Sequence, residues 1–356
     1  MALDEKLWVS RRVLVTGHTG FKGAWLSLLL SRLGGRIYGY ALDPPSGASL
    51  FQDAAAAEVF ESDVRGDVLD LAGLASAVRR ARPEVVFHLA AQPLVRESYT
   101  DPLRTYAVNV MGTANLLECL RGVDEVKAIV VVTTDKCYDN KEWVWPYRES
   151  DALGGHDPYS SSKAGTELVA AAYRSSFFSG GPRLATARAG NVIGGGDWGS
   201  DRLVPDCIRA FARGEAVELR YPHAVRPWQH VLDPLSGYTA LAQQLIGENG
   251  AAAEGAWNFG PDPTGEATVA DVANGVARHW GEGAQVRTDQ SAPALHEASV
   301  LRLDSTKART RLNWRPQFDF ESGLAETVDW YRAWHSKQNM VAFTRAQLER
   351  FAGKRQ

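Results

Sequence analysis

Cysteine is nearly missing from this chain. Cys119, Cys137 and Cys207 stand far apart, in neither disulfide nor metal-ligand spacing. That argues against a stapled secreted scaffold and against a cysteine metal centre, and no metal is expected. An excess of charge of either sign is missing too. The 39 Lys and Arg against 42 Asp and Glu leave a formal charge of -3, with no basic stripe for nucleic acid and no polybasic surface for a membrane. Long apolar runs are absent, since even "AWLSLLLSRL" is too short for a bilayer and is closed by Arg32 and the Gly34-Gly35 pair. The opening "MALDEKLWVS" carries acidic residues and no apolar stretch ahead of the first strand, so it does not read as a signal peptide. No internal repeat or low-complexity linker is visible. The expectation is a cytoplasmic protein without nucleic-acid or membrane partners.

What the chain does have is a recurring run of β-branched, apolar residues: "RVLVTG" from Arg12, "RIYGYAL" from Arg36, "EVVFHLA" from Glu84, "AIVVVTT" from Ala128 and "LATARAG" from Leu184. Helical segments fall between them, "LAGLASAVRRAR" ending at Pro83 and "NVMGTANLLECLRG" at Gly122. This alternation predicts βαβ units and a doubly wound, Rossmann-like parallel sheet, its near-continuous apolar strands covered by helices on both faces. After residue 190 the texture turns rich in Gly, Pro and aromatics, which marks a second, smaller α/β lobe. At 356 residues one core has normally stopped growing. The expected division is a nucleotide-binding domain over 1–190 and 228–262 and a substrate-binding lobe over 191–227 and 263–356.

Between the first strand and first helix stands "TGHTGFKG", with Gly17, Gly20 and Gly23 three apart. Glycines there permit a tight turn, close backbone approach to a pyrophosphate and a helix N-terminus facing its charge, so a dinucleotide is expected. At the end of the second strand "YGYALDPP" offers Asp43 to a ribose 2′-hydroxyl. That choice favours NAD over NADP, with no arginine near the strand end to meet a 2′-phosphate. Asp67, in "RGDVLD" after a third strand, is placed to reach the adenine amino group. "DPYSSSKAGTELV" sets Tyr159 and Lys163 four apart, one helical turn on one face. An ammonium there is expected to favour the phenolate and bring the tyrosine from ~10 toward neutrality, making it a usable base. "VVVTTDKCYDN" then raises a puzzle, because a strand that reads as buried delivers Asp135 and Lys136 at its tip.

"TGHTGFKG", "HLAAQP", "TTDKCY", "PYSSSKAGTE" and "RAGNVIGGGDW", in this order and at these distances, resemble the extended short-chain dehydrogenase/reductase family. The likeness runs over essentially the whole chain and is narrowest to the nucleotide-sugar 4,6-dehydratases of that family, "TTDKCYDN" and "YRESDALGGHDPYSSSKAGTELV" carrying it. It implies NAD as cofactor, contacted by Gly17, His18, Thr19, Gly20, Phe21, Gly23, Asp43, Asp67, Ala90, Tyr159 and Lys163, and CDP-glucose as substrate. In an open parallel sheet the carboxyl ends of the strands open into the ligand crevice, which explains the charged strand tip.

The resemblance implies that Tyr159 takes the proton of the sugar C4 hydroxyl and that Thr134 bonds to O4. Asp135 would protonate the departing C6 hydroxyl. Lys136 would assist removal of the C5 proton or hold the charge balance, and burial beside Lys163 and a cationic nicotinamide would lower its pKa enough for it to act as a base. Asn191, Arg226 and Arg302 are expected on the substrate diphosphate, since guanidinium forks suit phosphate oxygens, with His230 and Trp198 lining the same cleft. A homodimer through the helices near 100–121 and 159–178 also follows from the resemblance. Competing readings are a dehydratase for UDP-N-acetylglucosamine or dTDP-glucose, a 4-epimerase or decarboxylase of a nucleotide sugar, and a non-catalytic dinucleotide sensor. A sensor could afford to lose Tyr159 or Lys163, and both are present.

Overall fold

The β-branched runs pair side by side into one parallel sheet. In the computed structural model, which describes residues 4–262, 266–288 and 299–353, the strands are β1 (Arg12–Thr16), β2 (Arg36–Ala41), β3 (Phe60–Arg65), β4 (Val85–His88), β5 (Ala128–Val132) and β6 (Arg183–Arg188). A seventh, Gly255–Asn258, pairs in parallel with β6. The order is β3-β2-β1-β4-β5-β6 followed by that seventh strand, so the direction of winding reverses between β1 and β4.

The sheet is buried on both sides, and this is why its strands read as continuous apolar runs rather than alternating ones. Val13 and Val15 of β1, Phe87 of β4 and Val130 of β5 belong to one core, whereas Leu14, Val86, Ile129 and Val131 belong to the other. Against the first core pack α1 (Phe21–Arg32) through Trp25 and Leu29 and a helix at Leu232–Ile246 through Leu235 and Tyr238. Against the second pack α2 (Leu71–Ala81), α3 (Gly112–Leu120) and α4 (Pro158–Ser176). The edge strand β3 differs. Its burial alternates along "FESDVR", as one half-covered face requires, and that is why it does not stand out as an apolar run.

Beyond β6 lie three short two-stranded pairings: Val192–Ile193 with Gln229–His230, Val225–Arg226 with Ala267–Thr268, and Ala216–Leu219 with Gln285–Thr288. Two isolated bridges lie alongside them, Tyr147 with Leu303 and Val225 with Val300. Among the described residues no helix is long and apolar enough to cross a membrane.

One buried polar network fastens α4 to the sheet. Glu167 of α4 accepts from the Thr133 hydroxyl just past β5, from the Thr186 hydroxyl of β6 at 2.6 Å, and from Arg188 Nη2 at 2.9 Å. Arg188 also donates to the Tyr138 hydroxyl, which donates to Asn258 on the seventh strand. Removing one partner of such a buried pair strands the other charge, whereas replacing both by apolar residues is often tolerated. Glu167→Leu is therefore expected to lower unfolding stability by about 3–5 kcal/mol, and Glu167→Leu with Arg188→Met to recover much of it, as read by urea unfolding.

Candidate active site

The reversal of winding between β1 and β4 parts the connections on either side and opens a crevice at the carboxyl ends of the strands. Gly17 follows β1 directly with φ +73°, and a side-chain carbon there would fall 2.6 Å from the Ala90 amide nitrogen. One at Gly23 would fall 2.2 Å from the Gly17 carbonyl oxygen. Both positions therefore demand glycine, and Gly20 caps the N-terminus of α1 with bare backbone. The result is a cavity of about 340 Å³ lined by Gly17, Thr19, Gly20, Phe21, Gly23, Asp43, Asp67, Ala90, Tyr159 and Lys163, among others. Exposed helix-terminal amides, a glycine turn and carboxylates at the far end fit the diphosphate and riboses of a dinucleotide.

His18 does not join them. Its ring lies wholly buried beneath Gly39, tilted against Phe60, with Nε2 2.7 Å from Asp63 and 3.0 Å from Arg65. Burial lowers its pKa despite the Asp63 carboxylate. The side chain is thus a packing element between β2 and β3, and the expectation of a His18 side-chain contact to cofactor is corrected. Asp43 stands at the rim, 85% exposed, 3.4 Å from Arg65. An arginine therefore does reach this strand end, from β3 rather than β2, but Asp63 and Asp43 both hold it. Asp67 accepts from Leu69 N and from Arg104 at 2.6 Å.

A second cavity of about 660 Å³ adjoins the first and is lined by Thr134, Asp135, Lys136, Asn191 and Arg226. The two share Lys22, Pro93, Thr133, Tyr159 and Arg202, so Tyr159 stands where their occupants would meet. Local structure explains its placement. Asp157 caps α4 by accepting from Ser160 N, Pro158 takes the first helical position, and Tyr159 and Lys163 follow on the buried face. Across from them, two residues past β5, stands extended Thr134, whose hydroxyl donates to Asp135 Oδ1 at 3.0 Å.

Burial governs the charge states here. It pushes the Tyr159 phenol up to about 12, against a Thr134 hydrogen bond acting the other way. The expected fall toward neutrality does not occur. The Lys163 ammonium is turned to the Val132 carbonyl at 3.3 Å, and burial with Lys22 nearby brings Lys163 itself down to about 8. Burial likewise raises the Asp135 carboxyl, although Lys136, Thr134 and Arg226 oppose it. Asp135 is 1% exposed, whereas Lys136 is only partly buried at the cavity wall, so the deep burial expected for this lysine is not found.

Three expected substrate-cleft residues lie elsewhere. Arg302 turns outward and is held by both oxygens of Glu266, at 2.7 and 2.8 Å. His230 packs on Phe318, and Trp198 sits between Tyr331 and Trp334. Conversely, sequence reading passed over Lys22 and Arg202, which line both cavities. Lys22 is brought down to about 8 by burial and by Arg202, and Arg202 is anchored by Asp197 at 2.7 Å. Lys22 stands inside the glycine loop already singled out, whereas nothing local marks Arg202. Asn109 was also passed over. It sits in a π-helical turn (Ala107–Met111), of a kind frequent at functional sites, and joins Gln92 after β4 to Ser162 on α4.

With this geometry in view, known proteins place the chain. It is 47% identical to a CDP-glucose 4,6-dehydratase of Salmonella typhimurium over 97% of both chains. It is 32% identical to a dTDP-glucose 4,6-dehydratase of Streptomyces antibioticus over 76% of each. Its fold matches a crystal structure of a Thermus thermophilus UDP-glucose 4-epimerase in complex with NAD at TM-score 0.74 and 26% identity, covering 90% of this chain and 99% of that one. The family model described as GDP-mannose 4,6 dehydratase matches residues 14–327, and the chain belongs to that family.

Proposed function

We propose that the protein is an NAD-dependent 4,6-dehydratase that converts CDP-glucose to CDP-4-dehydro-6-deoxyglucose. One observation carries this reading: Tyr159 stands at the junction of a dinucleotide-shaped crevice and a second cavity whose wall holds Thr134, Asp135 and Lys136. The close relative from Salmonella typhimurium supports CDP-glucose as the substrate. The glycine loop with Thr19, Phe21 and Ala90 would hold the diphosphate side of NAD, Asp43 a ribose and Asp67 the adenine, with Tyr159 and Lys163 at the nicotinamide end. When bound, NAD supplies the redox chemistry, accepting a hydride from sugar C4 and later returning it at C6.

The chain's own residues move protons. Tyr159 takes the proton of the C4 hydroxyl while Thr134 bonds O4 and Lys163 orients the phenol from one turn away. The 4-ketone acidifies C5–H. Lys136 takes that proton, or balances the enolate charge while water takes it, and Asp135, its carboxyl raised by burial, gives its proton to the C6 hydroxyl, which leaves as water. The C5 proton is then restored. Asn191 and Arg226 bind the substrate diphosphate, Arg226 by its forked donors. The same proposal includes a cytoplasmic homodimer through the helices near 100–121 and 159–178, supported by exposed Leu103, Met111 and Leu168 on those segments.

Purified protein given CDP-glucose, dTDP-glucose, UDP-glucose or UDP-N-acetylglucosamine is expected to form a 4-keto-6-deoxy sugar from CDP-glucose preferentially; an epimer without ketone would exclude dehydration. Tyr159→Phe should lose 10²–10⁴-fold in the first step, leaving cofactor oxidised on rapid mixing with substrate. Asp135→Asn should still oxidise C4 but accumulate reduced cofactor, seen by its near-ultraviolet absorbance. Because burial raises the Asp135 carboxyl, it keeps its proton to higher pH than an exposed carboxylate. Elimination in the unmodified enzyme should therefore slow as pH climbs through that raised value, and this slowing should be missing from Asp135→Asn.

A further inference from the structure

Gly190 stands two residues past β6, between buried Ala189 and Asn191, and its backbone is not in the left-handed region. Conformation therefore does not require a glycine. Space does: a side-chain carbon at this position would fall 1.8 Å from Asp135 Oδ2, 2.3 Å from its Cγ and 2.8 Å from Oδ1. All three close contacts are to that one carboxyl group. On its other side the carboxyl is held by the Thr134 hydroxyl through Oδ1, while Oδ2 is buried without a hydrogen-bond partner among the described residues. The Gly190 carbonyl is fixed by Gln229 Nε2, which also donates to the Phe259 carbonyl at 2.7 Å, so the floor beneath the carboxyl is tied to two neighbouring strand ends.

We infer that Gly190 is a positioning residue for the elimination step, its missing side chain forming the slot in which the Asp135 carboxyl lies at the wall of the sugar cavity. The inference rests on the reading of Asp135 as the acid for the C6 hydroxyl. A methyl group in the slot forces the carboxyl to shift by more than an ångström or to leave Thr134, and misplacement of that size costs on the order of 10²-fold in rate. The first oxidation sends its proton to Tyr159, and this carboxyl reaches that step only through Thr134, so oxidation is slowed less than elimination.

The test is Gly190→Ala, mixed rapidly with CDP-glucose and NAD. Elimination should fall on the order of 10²-fold and reduced cofactor should accumulate, with oxidation at C4 slowed less. Combined with Asp135→Gly, which empties the slot, Gly190→Ala should add no further loss, because two changes acting through one group are not additive. Normal turnover of Gly190→Ala, a first oxidation slowed as much as elimination, or additive losses in the double variant would each overturn the inference. If Gly190→Ala fails to fold, folding restored by Asp135→Gly supports the slot, and failure of the double variant as well overturns it. Normal turnover of Asp135→Asn would instead remove the underlying reading of the acid, whatever Gly190→Ala does.

Discussion

The buried carboxylate of Glu167 holds the active residues in register. It lies four residues beyond Lys163 and eight beyond Tyr159, on the same face of α4, and it accepts from Thr133, the residue immediately before Thr134. A single side chain thus sets the distance between the helix bearing the phenol and the strand tip bearing the acid. Arg188 neutralises the charge and carries the link through Tyr138 and Asn258 to the seventh strand. A desolvated ion pair is weak evidence for stability, but Glu167 here takes three donors, one just past β5 and two on β6, and so ties α4 to both.

Around that fixed frame, low polarity sets the chemistry. Tyr159 and Asp135 move toward their neutral, protonated forms and Lys163 and Lys22 toward their neutral amines, each with burial as the leading cause. A site that disfavours every isolated charge suits a reaction that transfers protons between neighbours. The same neighbourhood holds Lys136, Arg226 and Arg202. An anionic substrate and a dinucleotide diphosphate would meet these cations.

The architecture divides these tasks by region. The parallel sheet with its winding reversal makes the crevice between β1 and β4, and the short pairings after β6 wall the larger cavity beyond it. Because the Leu232–Ile246 helix and the strand Gly255–Asn258 return to the sheet, the chain passes three times between the two regions, and Gln229 binds one to the other.

The sheet, the glycine turn and the Tyr159–Lys163 pair were legible in the sequence because each depends on near neighbours: β-branched runs, glycines three apart, and residues one helical turn apart. The charged tip at Asp135 and Lys136 was legible for a related reason, since a strand's carboxyl end in such a sheet has one kind of surroundings. His18, Arg302, His230 and Trp198 were misplaced, and Lys22 and Gly190 passed over, because their surroundings are set by residues distant in the chain: Asp63, Glu266, Phe318, Tyr331 with Trp334, Arg202 and Asp135 respectively. The charge state of Tyr159 was misjudged for the same reason. Sequence spacing shows which ammonium can lie near the phenol, but only tertiary packing removes the water around it, and here desolvation outweighs the neighbouring charge.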